Sequence, residues 1–166
     1  MDIRIRIEHL EDRRAIFELT KRAFAPMPFA DGDEQELIDK LRDAGALSLS
    51  AVAELDDAIA GHVALSPAAH ESGEMGWYTL GPISAEPALQ RKGIGRALIA
   101  FAQEWMSQCG ARGCILTGNP AYYSRFGFEP APGNAPADAP PEFFMVWLLK
   151  GAVPSGRFRF HPVFGA

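Results

Sequence analysis

Ile3, Ile5 and Ile7 alternate with Arg4, Arg6 and Glu8, the two-residue period of a short strand with one buried face. From Asp12 the period lengthens. Ile16, Leu19, Ala23 and Phe24 recur at helical spacing, with Asp12 as the cap, until Ala25-Pro26-Met27-Pro28 stops the helix. A second helix is predicted from Asp33 to about Asp43, with Leu37, Ile38 and Leu41 on one side and Gly45 at its end. Three strand-like runs follow, Leu47 to Leu55, Ala58 to Leu65 and Met75 to Ala85, the first two joined by a hairpin turn at Asp56-Asp57.

The clearest helical pattern starts after Gly93. Ile94, Ala97, Leu98, Phe101, Trp105 and Cys109 recur at three- and four-residue steps, and Gly110 stands where a C-terminal cap belongs. Cys114-Ile115-Leu116-Thr117 reads as a short strand covered on both faces. Pro120 opens a short helical segment through Phe126. Five of the twelve residues from Pro130 to Pro141 are proline, which predicts an irregular loop. Phe143 to Leu149 is a late strand, and the tail to Ala166 has room for one more. The order of elements predicts an α/β (α+β) fold: a mixed sheet with helices on both faces, in one domain over residues 1–166.

Composition narrows the function. A chain of 166 residues, 48% apolar, can bury roughly two-thirds of its unfolded surface without a disulfide or metal staple. Sixteen basic against twenty-one acidic residues leave a net charge of −5, which argues against nucleic acid as the main partner. Cys109 and Cys114, five apart and without a nearby histidine, suit neither a zinc site nor a disulfide framework; both read as reduced core thiols. The N-terminus lacks the apolar stretch of a signal peptide, and no window approaches eighteen consecutive apolar residues. The expectation is a soluble cytoplasmic protein with no membrane partner.

Chemistry concentrates between Ile83 and Ala97. A strand ends, a turn carrying Gln90, Arg91 and Lys92 follows, and Gly93-Ile94-Gly95-Arg96 opens the long amphipathic helix. Glycines let the backbone approach a bulky anion and turn N–H groups toward it. The helix N-terminus adds about half a positive charge, and Arg91, Lys92 and Arg96 add formal charge. A phosphate or pyrophosphate is the expected ligand; on backbone physics alone the alternative is a glycine-rich strand-to-helix turn with its basic residues in solvent. The P-loop pattern is absent, and GxGxxG fails because Leu98 stands at the third glycine position.

Gln90-Arg91-Lys92-Gly93-Ile94-Gly95 resembles the pyrophosphate signature of the GCN5-related N-acetyltransferase (GNAT) superfamily, Q/R-x-x-G-x-G/A. Pro87 sits at the usual offset, and Ala85 stands where the family often has valine. A second match is independent: Asn119-Pro120-Ala121-Tyr122-Tyr123-Ser124-Arg125-Phe126-Gly127-Phe128 resembles the family's later motif, in a form similar to bacterial acetyltransferases of the YhbS type. The resemblance implies an acyl-CoA N-acyltransferase fold in which acetyl-CoA lies in a wedge between the strand ending near Ala85 and the strand at Cys114 to Thr117. Backbone groups of Ile83 and Ala85, flanking Ser84, would pair with the pantetheine amides. The turn from Gln90 to Arg96 would hold the pyrophosphate, and the N–H near Ile83 would polarise the thioester carbonyl. No metal is implied.

The implied reaction is attack of a primary amine, on a small molecule or a peptide, directly on acetyl-CoA in a ternary complex. Tyr123 matches the family tyrosine and would protonate the departing thiolate; Tyr122 reads as a packing aromatic. Asn119 caps the short helix or meets the cofactor. The base is open. Glu74 is the most defensible carboxylate, acting directly or through water, with His62 as a second candidate. Trp77 and Tyr78 line an acceptor pocket or pack in the core. The segment Pro26 to Asp31 falls where the family places acceptor-binding residues, and Asp31, Asp33 and Glu34 would suit a cationic substrate. The late strands and tail offer a surface for a homodimer. The alternative is a non-catalytic acyl-CoA-binding sensor. A hydrolase lacks support, with no GxSxG elbow.

Overall fold

In the computed structural model, which describes residues 2–27 and 30–165, Arg4–Ile7 forms strand β1 and pairs antiparallel with β2, Leu49–Leu55. β2 starts two residues later than its apolar run, and pairs antiparallel with β3, Ala58–His70, from Leu49 against Leu65 to Leu55 against Ala58. Both turn residues are left-handed, Asp56 at φ 53° and Asp57 at φ 64°. That is the backbone of a two-residue hairpin whose twist matches its strands, and aspartate tolerates it better than most residues.

The chain divides into two compact units. The first comprises Met1–Leu65 and Gly81–Glu104, the second Ser66–Leu80 and Trp105–Ala166. In the first unit α1, Arg13–Phe24, and α2, Glu34–Asp43, bury Ile16 and Ile38 on Val52 of β2, with Leu47 and Ile59 beside them. Asp12 does not cap α1. Its carboxylate accepts the His9 N–H at 2.6 Å across a 3-10 turn and pairs with Arg6 at 2.7 Å. The Arg6 guanidinium outcompetes the helix amides and holds the Asp12 carboxyl below its usual range.

β3 also carries a buried polar chain in this unit. His62 is fully buried, and its Nε2 lies 2.8 Å from the Ser50 hydroxyl. Ser50 in turn donates to Glu8, which accepts two hydrogen bonds from Arg42, the shorter at 2.7 Å. Burial lowers the His62 pKa to about 4, with the Glu8 charge opposing the shift and Arg42 assisting it. The unfolded chain takes up the same proton near its ordinary 6.5. Stability from this group is therefore complete above that value and falls as pH drops toward 4. Denaturant titrations are expected to show a loss of about 2 kcal/mol between pH 7 and pH 5 that a His62→Gln variant no longer shows.

In the second unit the start of β4, Trp77–Ala85, runs parallel to β5, Gly113–Thr117, through the pairs Trp77–Gly113, Tyr78–Cys114 and Thr79–Ile115. After α4, Pro120–Tyr123, comes β6, Glu129–Pro130. β7, Phe144–Leu148, pairs antiparallel with both β5 and β6. β8, Phe158–Arg159, pairs with Ala69 and His70, so the tail does contribute a strand and β3 extends five residues beyond its expected end. Trp77, Ile115, Phe144, Val146 and Phe158 form the core here. Gly113 leaves that core only a hydrogen's width, because a Cβ would strike the Trp147 carbonyl and come within 2.7 Å of Trp77. The proline-rich stretch holds two 3-10 turns, Pro132–Asn134 and Pro141–Phe143. The Asn134 amide ties it down by donating to the Pro154 and Gly156 carbonyls at 2.9 and 2.7 Å.

The sheet is mixed, as expected, in the order β1-β2-β3-β4-β5-β7-β6 with β8 on β3. Helix α3, Ile94–Gln108, ends at Gly110, φ +74°. One thiol assignment fails. Cys114 is buried, but Cys109 is exposed, since it follows the last residue of α3 rather than facing the core. Among the described residues no helix is long and apolar enough to cross a membrane.

Candidate cofactor and catalytic site

The strand, turn and helix expected to bind an anion are built as an open row of donors. β4 pairs with β5 only from Trp77 to Thr79, although it continues to Ala85. Gly81 carries φ +144°, a conformation open to glycine, where the strand passes beyond that pairing. The Glu86 N–H donates to the Ala60 carbonyl of β3 at 2.7 Å. Amides alternate in direction along extended chain, so those of Ile83 and Ala85 point to the other edge. Ser84 lies between them, buried, its hydroxyl without a partner among the described residues.

After Glu86 the chain makes a 3-10 turn, Pro87–Leu89, and Gln90 is extended. Arg91 is then left-handed at φ 67°, which costs a non-glycine residue about 1–2 kcal/mol, and Gly93 follows at φ +89°. Ala97 N–H takes the Gly93 carbonyl at 3.0 Å, fixing the first turn of α3. Among the described residues, no backbone carbonyl accepts from any of the seven consecutive amides from Gln90 to Arg96. Gln90, Arg91, Lys92, Gly93 and Arg96 are exposed, and among the described residues no ion pair engages Arg91, Lys92 or Arg96. The acidic neighbour Glu86 is already held by Arg22 at 2.8 Å. Seven free amides, a helix N-terminus and three uncompensated cations match a ligand with two linked phosphates.

Gly61 was not singled out by the sequence, yet it lets α3 seat. A Cβ there would fall 2.5 Å from Ile94 and 3.0 Å from Leu98. A glycine inside a strand pattern is the signal that marks such a close approach.

In the second unit, Asn119 caps α4, its Oδ1 accepting the Ala121 N–H at 2.9 Å while its carbonyl accepts those of Tyr122 and Tyr123. Pro120 follows at the first helical position. Tyr123 is largely buried and packs edge-on to Tyr122 at 5.0 Å and Phe128 at 5.9 Å between ring centres. Burial, then the nearby Tyr122 and Cys114, pushes its phenol well above the usual value near 10, so it remains protonated. Tyr122 is also stacked, beneath Arg125 at 4.9 Å.

Glu74 accepts the Trp77 Nε1–H at 2.9 Å and faces Arg112 at 3.5 Å. His62 lies in the buried chain with Ser50 and Glu8 described above. Trp77 is a core residue at 2% exposure, edge-on to Phe158, whereas Tyr78 is half-buried against Trp105 and the Cys109 thiol. Of the segment Pro26 to Asp31, residues 28 and 29 lie outside the described residues. Asp31, Asp33 and Glu34 come close together, with Glu34 accepting the Asp31 and Gly32 amides.

Comparison with known proteins gives these local features a context. The profile of the acetyltransferase (GNAT) family matches residues 13–128. An uncharacterised N-acetyltransferase, YhbS of Escherichia coli (strain K12), is 31% identical over 126 residues, 75% of this chain and 72% of the relative. A GNAT family acetyltransferase from Brucella melitensis, solved in complex with acetyl-CoA, superposes with a TM-score of 0.88 at 39% identity, covering 98% of each chain. YhbS from Escherichia coli in complex with CoA also gives 0.88, at 27% identity over 99% of this chain and 92% of that one.

Proposed function

This chain belongs to the acetyltransferase (GNAT) family, and from that premise we propose that it transfers an acetyl group from acetyl-CoA to a primary amine by direct attack in a ternary complex. The observation that carries this reading is the run of seven unpaired amides from Gln90 to Arg96, flanked by Arg91, Lys92 and Arg96. A coenzyme A pyrophosphate would take these donors, and the pantetheine amides would pair with the free edge at Ile83 and Ala85. The relatives solved with acetyl-CoA or CoA support the same cofactor.

In this reading the chain's own groups divide the work simply. The amide near Ile83 stabilises charge on the carbonyl oxygen as the amine attacks. Tyr123 gives its proton to the departing sulfur. A thiol titrates near ~8.5, below a phenol, so this transfer runs uphill: the phenol hydrogen-bonds the sulfur as its charge develops, and any tyrosinate left regains its proton from solvent. Glu74, oriented by Trp77 and Arg112, takes the ammonium proton directly or through a water. The amine is borne by a small molecule or a peptide.

Acetyl-CoA at one hundred times its dissociation constant is expected to stabilise the protein by about 2.7 kcal/mol, read as a rise in Tm. An unchanged Tm at millimolar acetyl-CoA overturns the assignment of the turn. Thiol release from acetyl-CoA with alkylamines, polyamines and lysine peptides then separates enzyme from sensor, since binding without release across the panel favours the sensor.

A further inference from the structure

Gly118 follows the last residue of β5 and precedes the Asn119 cap. Its φ is not left-handed, so an alanine there meets no backbone penalty. Space is the constraint. A Cβ built on Gly118 would overlap the Tyr123 ring at Cε2, lie 2.8 Å from its Cδ2 and stand 3.2 Å from Leu116 Cδ1. The backbone cannot retreat freely, because the Gly118 N–H donates to the Phe143 carbonyl at 2.9 Å and the next residue caps α4. Nor is the ring free on its other sides, with Phe128 and Tyr122 edge-on to it.

We propose that Gly118 is a positioning residue for catalysis, its missing side chain being the slot in which the Tyr123 ring sits and by which the phenol is aimed. The inference rests on Tyr123 acting as the general acid. The glycine touches neither amine nor thioester; it acts through the ring alone. Restoring ordinary contact after a Gly118→Ala change displaces the ring by on the order of 1 Å, a misplacement that costs about 10²-fold in rate.

The test is a double-mutant cycle of Gly118→Ala and Tyr123→Phe, read as kcat, KM for acetyl-CoA and Tm, with the fastest amine of the panel as acceptor for all four proteins. Gly118→Ala is expected to lower kcat about 10²-fold with KM for acetyl-CoA unchanged, and to have no further effect on kcat in the Tyr123→Phe background. An equal loss in both backgrounds overturns the role of Gly118 and leaves Tyr123 as the acid. Unchanged turnover in Tyr123→Phe alone overturns the acid assignment itself, and this inference with it. A crystal structure of Gly118→Ala gives a readout independent of turnover: a displaced ring supports the slot, and an unmoved ring refutes it.

Discussion

Replacing Tyr123 with phenylalanine is expected to lower kcat by about 10²–10⁴-fold, the worth of the proposed general acid, with acetyl-CoA binding as before. The change deletes one oxygen from a ring held between Gly118, Tyr122 and Phe128, so the packing survives. Without the phenol the sulfur departs as a bare thiolate. A good leaving group that needs no proton, such as an acyl donor with a thiol of low pKa, recovers much of the loss. Steady-state kinetics with acetyl-CoA and with that donor check the point. Equal losses with both donors place Tyr123 outside the leaving-group step.

Trp77→Ala is expected to cost about 3–5 kcal/mol of folding stability, the range for emptying a large buried aromatic site. Its indole is 2% exposed, lies 4.9 Å from the Phe158 ring centre and donates to Glu74. The substitution opens a void beside Gly113, whose backbone is held against Trp147, and strips one partner from the Glu74 carboxylate. Trp77→Phe keeps most of the ring volume and loses the hydrogen bond, so it falls well short of the alanine loss. Denaturant unfolding of the pair tests this, and similar stabilities would show that burial of the ring contributes little.

Much of the fold was legible because its long elements carry a plain period. α3 repeats its apolar residues at one spacing, and Cys114 to Leu116 is one buried run. The alternating isoleucines gave the strand but not a buried face, since Ile5 is half-buried and Ile7 exposed. The Asp56-Asp57 turn and the Gly110 cap were equally readable, since their chemistry is local. What the sequence hid is what no single spacing or local motif carries. β8 is two residues long and exists only because Ala69 and His70 extend to meet it. Asp12 looked like a cap until Arg6, on a neighbouring strand, claimed its carboxylate. Cys109 kept the helical period by one residue too many, beyond the point where α3 faces the core.

The site divides the same way. The shape of the turn from Gln90 to Arg96 could be read because it follows from glycine placement and from the start of a helix. The setting of Tyr123 could not, since the room for its ring is left by the absence of atoms at Gly118. Of the partners of Glu74, Trp77 Nε1 is three residues away, but Arg112 lay outside any short pattern.

The left-handed twist at Arg91 is set when the polypeptide folds. In the proposed function, a diphosphate arriving at those amides would meet a mould already cast, and little ordering of the loop would be deducted from its affinity. The conformational cost falls once in the lifetime of each molecule, so on that reading spent coenzyme would leave and fresh coenzyme enter without the cradle being rebuilt.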